Sequence, residues 1–143
     1  MIYSEQTKKA MRIAFDAHKE QVDKAGLLYI FYPFHLTEQM NDEEFICVAL
    51  LHDIVEDTEM TLNDLRMQGF SDRIMDALAL LVHENDVEYM DYVGKIKHNR
   101  LATVVKLADL RHNSDAPRMD TLDDKARLRI EKYRVAMDIL MSR

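Results

Sequence analysis

Apolar residues recur at helical spacing along almost the whole chain. Met11, Ala14, Phe15 and His18 line one stripe, Phe45, Val48, Ala49 and His52 a second, and Ile74, Ala77, Leu78, Leu81 and Val82 a third. Leu128, Ile130, Tyr133, Met137, Leu140 and Met141 repeat the spacing toward the C-terminus. Start and stop signals fall between these stripes. Pro33 suits a first helical turn, Ser71 has the character of an N-cap, and Thr61 with Asp64 and Thr121 with Asp124 have the form of capping boxes. Gly26 and Gly69 are candidate helix stops. The pattern predicts about eight helices, over roughly 4–24, 33–40, 42–57, 61–67, 71–83, 86–98, 100–113 and 123–142, and hence an all-α fold.

Composition sharpens that picture. The 143 residues suit one compact domain over 1–143, since the chain shows no repeat, low-complexity tract or linker. Three glycines and two prolines leave few breaks, which favours helices over a turn-rich β architecture. Nineteen basic residues against 26 acidic ones give a net charge of −7, which repels a phosphate backbone, so nucleic acid is not an expected partner. Cys47, the single cysteine, lies inside the apolar run FICVALL and has no partner for an intrachain disulfide, which fits a reducing compartment. No apolar run approaches the roughly 18 residues of a membrane span, and the opening MIYSEQTKKAMRIAF lacks the uninterrupted core of a signal peptide. A cytoplasmic protein without a membrane partner is the expectation.

Two segments carry candidate chemistry. In ALLHDIVEDTEM, residues 49–60, an apolar run stops at His52 and Asp53, and Glu56 and Asp57 follow one turn later. On a continuous helix these four fall within an arc of roughly 140°. Carboxylates gathered on one face repel one another unless compensated, and a divalent cation is the simplest compensation; a helix end turning into solvent is the alternative. The second segment, ATVVKLADLRHNSD over 102–115, is another apolar run, interrupted by Asp109, with His112 and Asn113 on the same side. Asp109 either joins the first cluster or pairs with Lys106 or Arg111.

HDIVEDT followed by KLADLRHN resembles the HD-domain metal-dependent phosphohydrolases, and specifically the hydrolase domain of the RelA/SpoT family and its small stand-alone relatives. AHKEQVDKAGLLYIFYP is similar to that family's opening block, so the resemblance runs from about Ala14 to Asn113, and weakly beyond through RIEKYRVAMDIL. It implies a helical HD-domain bundle that uses manganese to hydrolyse the 3′-diphosphate of guanosine tetra- or pentaphosphate. His52, Asp53 and Asp109 then match metal ligands, Glu56 and Asp57 the acidic pair that positions and deprotonates water, and Asn113 and Lys24 substrate contacts. Elementary chemistry agrees: a bound divalent ion acidifies water and polarises a phosphoryl oxygen, and mixed imidazole and carboxylate donors suit Mn²⁺ or Fe²⁺, with Mg²⁺ also possible.

The sequence departs from the family pattern at two points. Tyr32 stands where the family has its first ligand, a histidine, and a neutral phenol is a poor ligand for Mn²⁺. His35, three residues on, is a candidate substitute, with a plain helix position as its other reading. Asp23 stands where an arginine is common, which weakens the cradle for a polyphosphate. Lys97 in KIKHN is a further candidate substrate contact by position alone. His18, His83 and His98 read as structural, and Tyr89 and Tyr92 either stack on a base or pack. The expected partner is a small guanine nucleotide or another phosphoester. The alternatives are an HD hydrolase of a different phosphoester and a degenerate, non-catalytic nucleotide-binding module.

Overall fold

A computed structural model describes residues 2–23, 26–114 and 123–142. Among them the chain forms nine helices: α1 (Glu5–His18), α2 (Phe31–Thr37), α3 (Glu43–Leu51), α4 (Ile54–Asp57), α5 (Leu62–Met67), α6 (Asp72–Leu81), α7 (Tyr89–Ile96), α8 (Arg100–Asn113) and α9 (Asp124–Met141). No strand occurs among the described residues, only an isolated bridge between Val22 and Leu28. No helix there is long and apolar enough to cross a membrane.

The centre of the molecule is α3. It packs against α1, α2, α6 and α8, and Ile46, Cys47, Val48, Ala49, Leu50 and Leu51 are all fully buried. That explains the apolar run after Glu43 and Glu44 in its first turn: a helix segment surrounded on all sides has no polar face. Helix α8 lies beside it and also contacts α6 and α9, burying Leu101, Ala102, Val105, Ala108 and Leu110, with Asp109 among them. The helix starts obey the sequence signals. Thr61 and Asp64 form the expected capping box, Ser71 caps α6, and Asp42 and Asn99 cap α3 and α8. The cap of α9 is Asp123; Thr121 lies outside the described residues.

Two helices end earlier than periodicity predicts. α1 stops at His18, and the chain then turns through Gly26, whose φ of +83° makes it a loop residue and not a helix stop. The predicted helix over 42–57 breaks at His52 and Asp53, which form a turn between α3 and α4. The His52 side chain causes a local competition here. Its Nδ1 donates to the Ala49 carbonyl oxygen at 2.6 Å, an acceptor that the Asp53 N–H would use in an unbroken helix.

Candidate functional site

The break after α3 sets His52 and Asp53 at the end of the central helix, and α8 brings Asp109 to the same place. His52 and Asp109 are only 6% and 8% exposed. Because a carbonyl can only accept, the bond to Ala49 puts the proton on His52 Nδ1 and leaves a lone pair on Nε2 of the neutral ring. That Nε2 lies 3.2 Å from Asp53 Oδ2 and 3.8 Å from Asp109 Oδ1. It is buried and hydrogen-bonds to neither.

Both carboxylates are held by further donors. The Tyr29 hydroxyl donates to Asp53 Oδ2, and the Tyr32 hydroxyl to Asp109 Oδ1. Asn113 Nδ2 donates to the same Asp109 oxygen at 3.0 Å, and Lys106 Nζ stands 3.4 Å from the other. The two readings of Asp109 are thus compatible, since it pairs with Lys106 and still faces His52. Aromatic rings wall the site: Tyr29 and Tyr32 have centroids 5.8 Å apart, and His112 packs 4.5 Å from Tyr32.

Electrostatics follow from this crowding. Burial disfavours an imidazolium at His52, but Asp53 and Asp109 outweigh it and hold the ring well above its usual range. Burial works in the opposite sense on Asp109, and contacts with His52, then Lys106 and the Tyr32 hydroxyl, overcome it and hold the carboxyl low. Asp53 is lowered in the same way, chiefly by His52 against its own burial. Burial, followed by the adjoining carboxylates, pushes the Tyr29 and Tyr32 phenols upward, so both remain protonated donors at neutral pH.

With a neutral ring, no proton stands between the His52 Nε2 lone pair and either carboxylate. Either the ring gains a proton or a cation stands among them. One nitrogen with carboxylate oxygens is a donor set that fits a divalent first-row ion. Among the described residues, however, no three or more His, Cys, Asp or Glu side chains have the spacing of a ready-made metal cage. The tyrosine hydroxyls sit on the two oxygens that face His52.

The remaining expected site residues divide. Glu56 and Asp57 lie in α4, exposed, on the turn that follows Asp53. Glu56 Oε1 accepts the His83 backbone N–H at 2.7 Å. Partial burial, then the charge of Asp53, raises the Asp57 carboxyl above the usual range. Gln21 ties the Asp57 carbonyl to buried His18: its Nε2 donates to Asp57 O at 3.0 Å, and its Oε1 lies 2.6 Å from His18 Nδ1. Asn113 is brought in, as a donor to Asp109. His35 meets the site only at its rim, because Pro33, Leu36 and Thr37 are the buried positions of α2: its half-exposed ring packs 5.6 Å from His112 and lies 3.5 Å from Glu38 Oε2. Lys97 is also engaged elsewhere, donating to Ser142 Oγ beyond the end of α9 at 2.8 Å. Lys24 lies outside the described residues. Asp23 accepts the Leu27 N–H at 3.0 Å and so shapes its own loop.

Tyr29 belongs to the site although nothing in the expected set includes it; the signal that finds it is the Tyr-x-x-Tyr spacing in LLYIFYP, which sends two phenols the same way. Tyr89 and Tyr92 pack instead of offering a face to a base. Tyr92 is 5% exposed, its hydroxyl donates to Leu81 O at 2.7 Å, and its ring stacks on His83 at 4.6 Å. Lys106 Nζ lies 5.4 Å from the Tyr92 ring and Lys132 Nζ 4.1 Å from that of Tyr89.

No family model matches the chain. A guanosine-3′,5′-bis(diphosphate) 3′-pyrophosphohydrolase of Aquifex aeolicus is 33% identical over 100 residues, which is 67% of this chain and 13% of that protein. A GTP pyrophosphokinase of Streptomyces coelicolor is 33% identical over 145 residues, 90% of this chain and 17% of the relative. The bifunctional (p)ppGpp synthase/hydrolase SpoT of Escherichia coli is 27% identical over 121 residues, 74% of this chain and 17% of that protein. The chain therefore spans less than a fifth of the length of these curated relatives. A solved structure of a metazoan ortholog of SpoT that hydrolyses ppGpp shares the fold, with a TM-score of 0.76 and 19% identity over 99% of this chain and 89% of the other.

Proposed function

We propose, from the premise that this chain is a RelA/SpoT hydrolase-like domain in sequence and an HD-type helical bundle in fold, that it is a metal-dependent phosphohydrolase which removes pyrophosphate from the 3′ position of guanosine tetraphosphate. The observation that carries this reading is the unbonded His52 Nε2 held between Asp53 and Asp109. In it, His52, Asp53 and Asp109 hold a divalent ion, Mn²⁺ by preference, and residues 1–143 act as one cytoplasmic hydrolase domain. When bound, the ion supplies Lewis acidity at the phosphoryl oxygen and neutralises the two carboxylates.

The chain's own groups do the rest. Asp57, whose carboxyl lies above the ordinary range, takes the proton of the attacking water; Glu56, fixed by the His83 N–H, orients that water. The water oxygen bonds to the phosphorus attached at O3′ as the bond from that phosphorus to O3′ breaks; the proton taken up by Asp57 is passed on to O3′, so the products are pyrophosphate and a nucleotide with a free 3′-hydroxyl. Asn113, already on Asp109, borders the nucleotide. Pyrophosphate release assays with guanosine tetraphosphate and Mn²⁺ test this, alongside metal analysis of the purified chain. Asp57→Asn is expected to lower kcat by about 10²–10⁴ while leaving metal content unchanged. Metal-supported turnover of other phosphoesters only would reassign the substrate.

A second reading is favoured by one observation. The Tyr32 hydroxyl already bonds Asp109, as it would in a module that binds a nucleotide without an ion. Nucleotide binding with neither metal nor turnover is its signature.

A further inference from the structure

We propose that the Tyr32 hydroxyl occupies the place beside Asp109 that an incoming cation must take, so that Tyr32 sets the site's metal affinity by being displaced and does not serve as a ligand. The inference rests on the metal-dependent reading above, and it follows from an inventory of lone pairs. A carboxylate oxygen offers two. On Asp109 Oδ1 both have donors already, Tyr32 from α2 and Asn113 from the next turn of α8, and this is the oxygen 3.8 Å from His52 Nε2. Turning Oδ2 toward His52 instead would cost the ion pair with Lys106, whose Nζ stands 3.4 Å from that oxygen. The Tyr32 ring itself lies beside His52, with centroids 6.3 Å apart and planes inclined at 64°. Asn113, four residues along the same helix, approaches from the α8 side. A cation shared by His52 and Asp109 therefore enters at the expense of the phenol's hydrogen bond.

Mn²⁺ titration of the full chain and of Tyr32→Phe, followed by the electron paramagnetic resonance of free Mn²⁺, measures this directly. The phenylalanine variant is expected to bind Mn²⁺ about tenfold more tightly, because a hydrogen bond to a charged group no longer has to be broken. Weaker binding by the variant overturns the proposal by making the phenol a ligand, and equal binding overturns it by placing the ion elsewhere. The wild-type chain gives a second measurement that does not depend on the variant folding: Mn²⁺ should produce a near-ultraviolet tyrosine difference spectrum as the phenol leaves Asp109. Binding without that spectrum overturns the proposal. Absence of Mn²⁺ binding by both proteins brings down the hydrolase reading and this inference with it, an outcome distinct from equal binding.

Discussion

Two neighbouring clusters in this protein are built from nearly the same residue types and end in opposite states. Around α6 and α7, His83, Tyr89, Tyr92 and Lys132 form a stack in which His83 Nε2 lies 2.7 Å from the Val87 carbonyl, the Tyr92 hydroxyl donates to Leu81, and ammonium groups cover the ring faces. At the end of α3, His52, Tyr29, Tyr32 and two aspartates face one another and leave the His52 Nε2 lone pair unbonded. Lys106 belongs to both, between Asp109 and the Tyr92 ring. The lesson is that residue types do not mark a site. A buried ring nitrogen set between two carboxylates does, whereas the buried unbonded atom of the first cluster, the Tyr89 hydroxyl, is neutral, has no carboxylate beside it and costs far less to bury.

Removing a charge from the second cluster should have the largest effect. Asp109→Ala leaves Lys106 and the protonated His52 without their shared counter-charge, and is expected to destabilise the metal-free chain by roughly 3–5 kcal/mol in urea unfolding. A cost below about 1 kcal/mol would mean that the two clusters do not differ as described.

A pH series sharpens the contrast at smaller amplitude. His52 has a folded-state pKa above its unfolded value, so its contribution is complete below about pH 6.5 and is lost as pH rises through the folded value. Asp109, held low, contributes above about pH 3.9 and loses that contribution as pH falls through its folded value. Thermal unfolding of the metal-free chain should therefore show stability declining above about pH 6.5, and His52→Gln should flatten that limb.

The smallest effect is expected at Tyr89→Phe. Deleting a buried hydroxyl that has no partner should be neutral or stabilising, by less than about 1 kcal/mol. A clear loss of stability would show that the hydroxyl is satisfied in solution.

Much of this was legible from residue order, for a physical reason: helix period and cap chemistry are local. The Thr61 and Asp64 box and the apolar run FICVALL of α3 could be read without coordinates. The meeting of HD with the Asp109 segment was legible too, because an acid inside an apolar run must find compensation. What escaped depends on side chains reaching across turns. Nothing in the periodicity tells that the His52 ring takes the Ala49 carbonyl and divides one helix into two. The outward turn of His35 follows from the buried register of α2, which starts at Phe31 and not at Pro33. Tyr29 is marked only by its spacing from Tyr32, because a phenol in an apolar stretch otherwise reads as packing until its hydroxyl is seen on Asp53.

The placement of Asp53 beside α3 and of Asp109 on α8 has a consequence for the order of events in the cell. A growing polypeptide on the ribosome carries the first carboxylate long before the second emerges, and the half-site alone offers an ion one imidazole and one acid. The three side chains meet only once α8 has been synthesised and has settled against the central helix, so in the proposed metal-dependent hydrolase ion uptake would follow closure of the bundle.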